Sequence, residues 1–456
     1  MFENIIGQPI TERLKSDIIN ESLAPSILFE GKNASGKCTS ALELARILSC
    51  EKKDAPWNCT CSSCNHHKTL SSSDLLLLGN KDFSAEILAA KAAFIKDMQK
   101  LTTRLFFLRA VKKLLLRFSF EIVKGDTRIS KLNSSIEAIN EDLEELLFLV
   151  NVYLRSADET SEKSEKDFSK IQKITDKLVQ NLIKLESDGV ADSVPVSHIR
   201  NASYWLRLKP AGIKKILIIE NADKMKNEAR NSLLKILEEP PPQCEIILTT
   251  NNLGAMLPTI LSRLRQYSFA DRSPVSQSEI IRRVFKGDDT ESNIIEYMDK
   301  FLPVSASTLQ GIAAFFWTVL LNNSLHSLSK QNKASHIETE RQSNLLTKIK
   351  EYFKSIANEK GFTDTNVDQK TLCALVIKCA DNFVQRNSFN IFLNLLCGTL
   401  SAFVKKTSVF SDCIGLCELL LRTTEEARIA YGIYNQSAAI VLESLFVDIQ
   451  NGIKQC

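Results

Sequence analysis

Short apolar runs along the chain mark four predicted strands. They lie at Ser26–Glu30, Asp74–Gly79, Ile216–Ile219 and Ile246–Leu248. The last two runs do not alternate between apolar and polar residues, which is the pattern of strands in a parallel sheet covered on both faces. Amphipathic helical stretches separate the runs. The sequence therefore predicts an α/β domain with helices on both sides of its sheet.

About 110 residues with helical periodicity follow the second predicted strand and end before Val196. A first helix is predicted from about Ala85 to Phe120. Two later apolar stripes, joined by a polar link at Ser156–Asp167, predict an antiparallel helical hairpin. The stripes are Leu132, Ile136, Ile139, Leu143, Leu146 and Val150, and Ile171, Ile174, Leu178, Leu182 and Leu185.

The first of these helices is strongly basic. Between Lys91 and Arg117 it carries eight lysines and arginines and one acid, Asp97. Because these cations are spread around the helix, a solvated face or pairing with the acidic stretch Glu137–Glu145 is favoured over contact with DNA or a partner. After Arg263 the pattern is helical throughout, which predicts a helical bundle at the C-terminal end.

Composition limits the class of protein. The chain has 456 residues, 44% of them apolar and 25% charged, and its net charge of +4 is too small to indicate DNA binding by itself. The first residues contain no apolar signal-peptide core, and no uninterrupted apolar run approaches 18 residues. We therefore expect a cytoplasmic protein with no membrane contact, whose twelve cysteines are mostly reduced thiols.

A glycine-rich loop follows the first predicted strand and precedes an apolar-periodic helix. Gly31, Gly36 and Lys37 have the spacing of a phosphate-binding P-loop, in which backbone N–H groups and a lysine hold phosphates. Cys38 stands where the motif requires a hydroxyl for Mg²⁺, and a thiol is a poor ligand for that hard cation. Thr39 lies about 100° further around the helix. Nucleotide binding and a loop that keeps only the fold both remain open.

Four cysteines lie within fifteen residues directly after the P-loop helix. Cys50, Cys59, Cys61 and Cys64 match the four thiolates of a structural zinc site, which would leave no open position for catalysis; loose or oxidisable thiols are the alternative. The cluster resembles a module that follows the P-loop helix in bacterial clamp-loader subunits, in which two residues separate the second and third cysteines, whereas this chain has one. Cys59 is therefore the least certain ligand, and His66 or His67 could take its place.

Three sequence motifs between the third predicted strand and Arg263 resemble those in the ATPase domain of bacterial clamp-loader subunits, which belong to the AAA+ superfamily. The motifs are ADKM, NSLLKILEEPP and LPTILSR. The resemblance implies a RecA-like parallel sheet flanked by helices in residues 1–80 and 194–270, with a zinc module at 50–64. It further implies a helical lid at 271–304 and an oligomerising helical collar at 305–456. It does not extend to the helical insertion, residues 81–193.

The resemblance also implies the residues of a nucleotide site. These are Gly31, Ser35, Gly36, Lys37, Cys38, Thr39, Glu220 and Thr250, with the segment Phe2–Gln8 beside the base. Active relatives have Asp-Glu after the third strand, where this chain has Glu220-Asn221. Because an amide cannot accept a proton, we expect little or no ATPase activity, and ATP with Mg²⁺ is a doubtful cofactor.

The resemblance ends at Arg263. It implies that Arg263 is an arginine finger, which reaches into the nucleotide site of a neighbouring subunit. A defective own site with an intact finger is the pattern of δ′-type, non-motor subunits. The expected partners are γ/τ and δ subunits, a sliding clamp and primed DNA. Two alternatives remain: an ATP-hydrolysing γ/τ-type motor subunit, and a zinc-bearing DNA-binding adaptor that uses the basic helix.

Overall fold

A computed structural model describes residues 1–80, 83–155, 161–191, 193–288, 291–302, 306–331, 336–363, 367, 369–381, 388–406, 410–432 and 436–455. The chain divides into two compact units, Met1–Phe301 and Leu302–Cys456. The strands are β1 (Ser26–Glu30), β2 (Leu75–Leu78), β3 (Lys215–Ile219), β4 (Cys244–Thr250) and β5 (Arg265–Ser268). The helices of the first unit are α1 (Ile10–Ile19), α2 (Lys37–Leu48), α3 (Ser62–Lys68), α4 (Ser84–Lys96), α5 (Leu101–Leu115), α6 (Phe120–Val123), α7 (Thr127–Ser130), α8 (Asn133–Arg155), α9 (Ser161–Gly189), α10 (Val196–Leu206), α11 (Asn227–Glu238), α12 (Pro258–Leu261), α13 (Pro274–Ile280) and α14 (Ile294–Asp299).

The sheet has five parallel strands in the order β2-β3-β4-β1-β5. The four predicted strands are confirmed with small shifts at their ends. The sequence pattern missed β5, in which Tyr267 alone is buried and its neighbours are polar. This strand lies at the edge of the sheet and pairs only with β1, so it lacks the continuous apolar run of a central strand.

Each face of the sheet packs against a separate apolar core. Leu28, Leu217 and Leu248 lie in the core that includes α10 and α11, while residues from the alternate positions lie in the core that includes α1 and α2. Side chains alternate between the faces of a strand, so one run of apolar residues serves both cores. The fold is the expected α/β arrangement with helices on both sides.

The predicted helical hairpin is present as α8 and α9. The two helices run antiparallel, because Asp142 on α8 accepts a hydrogen bond from Lys177 on α9 at 2.6 Å, while Tyr153 packs near Phe168 with ring centroids 6.5 Å apart. Part of the predicted polar link, residues 156–160, lies outside the described residues.

The single helix predicted from about Ala85 to Phe120 is wrong. The chain breaks at Asp97, whose φ of −152° is not helical, and continues as α4 and α5. Phe94 of α4 stacks on Phe107 of α5 at 5.1 Å, and Thr103 Oγ1 donates to the Lys100 carbonyl at 2.8 Å. The reversal lets both helices bury their apolar stripes in one core, which a continuous helix of this length would leave partly exposed.

A small helical element follows β5. It comprises α13, a helical continuation at Ile281–Phe285, and α14. Phe285 packs edge-on against Phe106 of α5, with ring centroids 4.9 Å apart, and Ala89 of α4 belongs to the same apolar cluster. The lid and the insertion therefore share a core.

The second unit is entirely helical in its described residues. Its helices are α15 (Ala306–Gln331), α16 (His336–Glu359), α17 (Gln369–Asp381), α18 (Ser388–Lys406), α19 (Phe410–Gly432) and α20 (Ala438–Gln455). They enclose Trp317, whose indole N–H donates to the Leu396 carbonyl at 3.1 Å. Across the part of the chain that the structure describes, no helix is both long enough and apolar enough to span a membrane.

Two leucines one turn apart on α8 test the packing of the insertion. Leu143 is 2% exposed and Leu147 is 38% exposed. We expect Leu143→Ala to lower the free energy of unfolding by about 2–5 kcal/mol, because it opens a cavity in the core. Leu147→Ala should change it by about 0.5 kcal/mol or less. Urea denaturation followed by circular dichroism measures both. Equal losses for the two variants would contradict the described hairpin.

Candidate functional site

The P-loop joins β1 to α2 in a backbone conformation that requires glycine at two positions. Gly31 has φ +147° and Gly36 has φ +95°. A Cβ atom at Gly31 would lie 2.7 Å from the carbonyl oxygen of Phe269, and one at Gly36 would lie 2.3 Å from a guanidinium nitrogen of Arg272. The loop is therefore closely packed against the segment that follows β5, and α2 begins directly after it at Lys37.

The P-loop lysine is directed toward the loop itself. Lys37 Nζ donates to the carbonyls of Gly31 and Lys32, each at 2.6 Å, and to Ser35 Oγ at 3.3 Å. Arg272 also contacts the loop through a hydrogen bond to the Ala34 carbonyl at 2.5 Å. Two cationic side chains thus lie beside the turn whose N–H groups would receive phosphates.

A cavity of about 280 Å³ lies against the P-loop. Five of the predicted nucleotide-site residues, on the loop and α2 or at the end of β3, line it, whereas Gly31, Ser35 and Thr250 are not among its lining residues. Apolar side chains from the N-terminal segment, the insertion and the lid form the rest of its wall. The lining residues include Ile5, Ile6, Gly36, Lys37, Cys38, Thr39, Glu86, Phe106, Arg109, Lys113, Glu220, Asn221, Thr249, Asn251, Arg272, Ile280, Val284, Phe285, Ile294 and Met298.

The polar residues at the ends of β3 and β4 are hydrogen-bonded to one another. Asn221 has φ +51°, and its Oδ1 accepts a hydrogen bond from Asn251 Nδ2 at 2.9 Å. Thr249 and Asn251 line the cavity, while Thr250 between them donates to Asp223 Oδ1 at 2.8 Å. Strand alternation explains this difference, because neighbouring side chains on a strand point to opposite sides.

Three cations at four-residue spacing form one face of the basic helix. Arg109, Lys113 and Arg117 follow one another along α5 and its last turn, and the first two line the cavity. The Arg109 guanidinium donates to the carbonyls of His67 and Lys68, at 3.2 and 3.0 Å. The sequence pattern predicts cations spread around the helix, on a solvated face or paired with the acidic stretch Glu137–Glu145, and this prediction is wrong for these three. Their i, i+4, i+8 spacing is the signal that puts them on one face.

Arg117 forms a buried ion pair with Glu220. The pair joins Arg117 Nη2 to Glu220 Oε2, and both side chains are 4% exposed. Burial lowers the pKa of the Arg117 guanidinium, and the charge of Glu220 opposes this shift. Arg117 also lies over the ring of Phe83, 5.3 Å from its centroid. A residue of the insertion thus neutralises the carboxylate at the end of β3.

The residues present do not fit a Mg²⁺ site of the usual kind. Cys38 offers sulfur where the hard cation needs oxygen. The carboxylates among the residues that line the cavity are Glu86 and Glu220, and each is paired with a cation of the insertion, Glu86 with Lys113 at 2.5 Å. Both negative charges that a metal would require are therefore already compensated by fixed cations.

The four predicted zinc ligands lie together. One sulfur from each of Cys50, Cys59, Cys61 and Cys64 lies within 4.8 Å of the other three. Burial raises the pKa of the Cys61 thiol, but hydrogen bonds from the backbone N–H groups of Glu51 and Cys64 outweigh it and lower that pKa to about 7. Four clustered sulfurs, three of them buried, could hold a tetrahedral metal ion.

Arg46 connects this cysteine cluster to the P-loop helix. On α2 it forms a buried ion pair with Glu43, while its guanidinium donates to Cys64 Sγ at 3.1 Å and to the Ala55 carbonyl at 2.7 Å. A cationic donor stabilises a thiolate ligand and fixes its direction. The cluster is thus tied to the helix that begins at the P-loop.

The two histidines considered as alternative ligands lie outside the sulfur cluster. His66 is exposed, and its Nδ1 is 3.5 Å from Ser62 Oγ. His67 is buried, and neither of its ring nitrogens has a hydrogen-bond partner among the described residues. Burial, assisted by the charge of Arg109, lowers the pKa of His67 to about 4. His67 is therefore a neutral side chain packed below Arg109.

Arg263 lies away from the cavity of its own chain. It follows α12, and its Nη1 donates to the Thr259 carbonyl at 2.6 Å while its Nη2 pairs with Glu238 at 2.8 Å. One third of its side chain is exposed, and it is not among the described residues that line the cavity. The guanidinium is therefore positioned at the surface by the end of α11.

A parallel sheet of order β2-β3-β4-β1-β5 flanked by helices, a P-loop after β1 and a small helical element that lines the cavity give this domain the α/β fold of the AAA+ class. The chain belongs to the family "DNA polymerase III, delta subunit", whose model matches residues 7–133 and 139–273. This is a family of the DNA polymerase III clamp loader. The match runs through most of the insertion, so the expectation that the resemblance does not extend to residues 81–193 is wrong.

Relatives of more than one subunit type are similar to parts of the chain. The tau subunit of DNA polymerase III from Bacillus subtilis is 29% identical over 139 residues, which are 30% of this chain and 23% of that protein. The delta' subunit from the same organism is 43% identical over 61 residues, 13% of this chain and 18% of that protein. The matches thus span less than a quarter of either relative. A gamma subunit-related protein of Thermotoga maritima is 17% identical, with a TM-score of 0.30 over 62% of this chain and 90% of that one.

Metal analysis of the purified chain tests the cysteine cluster. We expect about one zinc ion per chain, because structural sites of four thiolates bind the metal tightly. Cys59→Ser should lose most of it, while His66→Ala and the distant Cys244→Ser should retain it. Mass spectrometry of the metal content is the measurement. Retention by Cys59→Ser with loss in His66→Ala would contradict the cluster.

The Arg117–Glu220 pair makes a separate prediction about stability. Arg117→Met leaves a buried carboxylate uncompensated, and we expect it to lower the free energy of unfolding by about 3–5 kcal/mol. Adding Glu220→Gln should restore much of this loss. Arg128→Met removes a guanidinium that is 56% exposed and should cost about 1 kcal/mol or less. Urea denaturation of Arg117→Met, Glu220→Gln, their combination and Arg128→Met measures the coupling, and additive losses for the two single variants would show that it is absent.

Proposed function

We propose that the chain is a non-motor, δ′-type subunit of the DNA polymerase III clamp loader. In this role it supports ATP-driven loading of a sliding clamp onto primed DNA, beside γ/τ-type and δ-type subunits. Membership of the clamp-loader family and the similarity to a delta' subunit support the proposal that the chain is a component of this assembly. The helical unit Leu302–Cys456 would then serve as the oligomerising collar.

The state of the chain's own cavity is the observation that carries the proposal. Hydrolysis on this fold requires a metal ion and a carboxylate that orients the attacking water. Here Cys38 replaces the hydroxyl ligand, Glu220 is paired with Arg117, and Asn221 is hydrogen-bonded to Asn251. The contributions of the chain to ATP hydrolysis must then be made at another subunit.

Arg263 is the residue proposed to make that contribution. Its guanidinium is partly exposed, lies outside its own cavity and is oriented by Glu238, which suits a group that reaches a neighbour's nucleotide. A planar guanidinium can stabilise charge on a transferring phosphoryl group through two parallel hydrogen bonds. Glu238 would release Arg263 when the stronger negative charge of the phosphates replaces it.

The ATPase of the reconstituted assembly tests this role. We expect Arg263→Ala to reduce turnover at the site that it serves by about 10³-fold or more. Arg263→Lys should not restore it, because lysine lacks the planar fork. Arg283→Ala, which removes an exposed arginine paired with Glu279, is the matched control and should leave turnover unchanged. If Arg263→Ala left the ATPase rate of the assembly unchanged, the assignment of Arg263 as an arginine finger would be wrong.

The similarity to a tau subunit favours a second candidate, an ATP-hydrolysing γ/τ-type motor subunit. ATP turnover by the isolated chain that is abolished by Lys37→Ala would select this candidate. The third alternative, a DNA-binding adaptor, has less support, because Arg109, Lys113 and Arg117 of the basic helix contact the protein interior.

A further inference from the structure

The cations on one face of α5 lie at the P-loop cavity. Arg109 and Lys113 line the cavity, and Arg117 reaches Glu220 from the last turn of the same helix face. The insertion that carries them packs on the lid through Phe106 and Phe285 and so closes the cavity on one side. The cavity is therefore built jointly by the P-loop domain, the lid and the insertion.

The charge of this cavity is positive without any metal ion. Four cationic side chains line it (Lys37, Arg109, Lys113 and Arg272), against the two carboxylates of Glu86 and Glu220. The lining groups therefore give 4 − 2 = +2, and Arg117 adds a further buried positive charge beside Glu220. A cavity with this net positive charge attracts a polyanion and repels a metal cation.

The remainder of the wall suits a flat apolar group. Apolar surface of the same cavity comes from Ile5, Ile6, Phe106, Ile280, Val284, Phe285, Ile294 and Met298. Ligand cavities commonly combine an apolar wall with a few charged groups that fix orientation, and 280 Å³ is near the lower end of their volumes. A base at the apolar wall and phosphates beside the cations would satisfy both parts.

We propose that this cavity binds a nucleoside polyphosphate as the free anion, with the cations of the insertion taking the place of Mg²⁺. Lys113 is the insertion cation assigned to contact the phosphates, and Arg117 keeps Glu220 from serving as a metal ligand. The bound nucleotide is a ligand that holds the P-loop, lid and insertion together. This inference does not depend on the role of Arg263 or on the type of subunit.

Equilibrium binding of fluorescent ADP and ATP derivatives to the full-length protein tests the absence of the metal. We expect the dissociation constant in EDTA to equal or lie below that in excess Mg²⁺, because the metal competes for the free anion. A site that needs the metal would show the opposite, with binding at least about tenfold weaker in EDTA. Binding only in Mg²⁺, or no binding in either condition, would overturn the proposal.

Two neighbouring lysines on α5 supply a matched pair of variants. Lys113→Gln should weaken binding in EDTA by about tenfold or more, because the lost cation is largely desolvated. Lys112→Gln, one residue away and not among the residues lining the cavity, should bind as the unchanged protein does. Circular dichroism of both variants confirms that they are folded. Equal affinities for the two variants would contradict the assignment of Lys113.

A double variant separates direct contact from simple repulsion. In Lys113→Gln the partner Glu86 keeps its negative charge, which by itself would repel phosphate. Lys113→Gln combined with Glu86→Gln removes both charges and leaves the local net charge unchanged. Binding should stay weak if Lys113 holds the phosphates. Full recovery of affinity in the double variant would show that Lys113 makes no contact and would overturn its assigned role.

Discussion

The structure depends on the buried ion pair between Arg117 and Glu220. Glu220 directly follows β3, an interior strand of the sheet, where a carboxylate removed from water must have a cationic partner. The partner comes from the insertion, so the helices of residues 81–193 are attached to the sheet at the edge of the P-loop cavity. The insertion is for this reason part of the same compact unit as the sheet, and the chemistry of the P-loop cavity cannot be separated from it.

Two further arginines connect the cysteine cluster to the same cavity. Arg46 joins the cluster to α2, and Arg109 joins the carbonyls at the end of α3 to α5. The guanidinium group suits this task because its donors reach several acceptors at once while it remains charged when buried. A metal ion bound by the cysteines would therefore stiffen both walls that flank the P-loop.

Local patterns were sufficient for much of the fold. The non-alternating apolar runs identified four strands, and the heptad stripes identified the hairpin, because burial imposes its period directly on the sequence. The patterns failed where the partner was distant. At the edge of the sheet, β5 buries only Tyr267, and the break at Asp97 follows from the packing of Phe94 on Phe107. Neither contact has a local signal.

The sequence by itself determined the parallel sheet, the P-loop spacing, the clustered cysteines and the thiol at Cys38, because each depends on residue type and short-range spacing. Only the tertiary structure decided what surrounds Glu220 and where the cations of α5 point. Those cations come from more than 100 residues before Glu220 along the chain, and their direction depends on how α4 and α5 fold back on each other. Charge pairing over that distance is a property of packing, which no local pattern records.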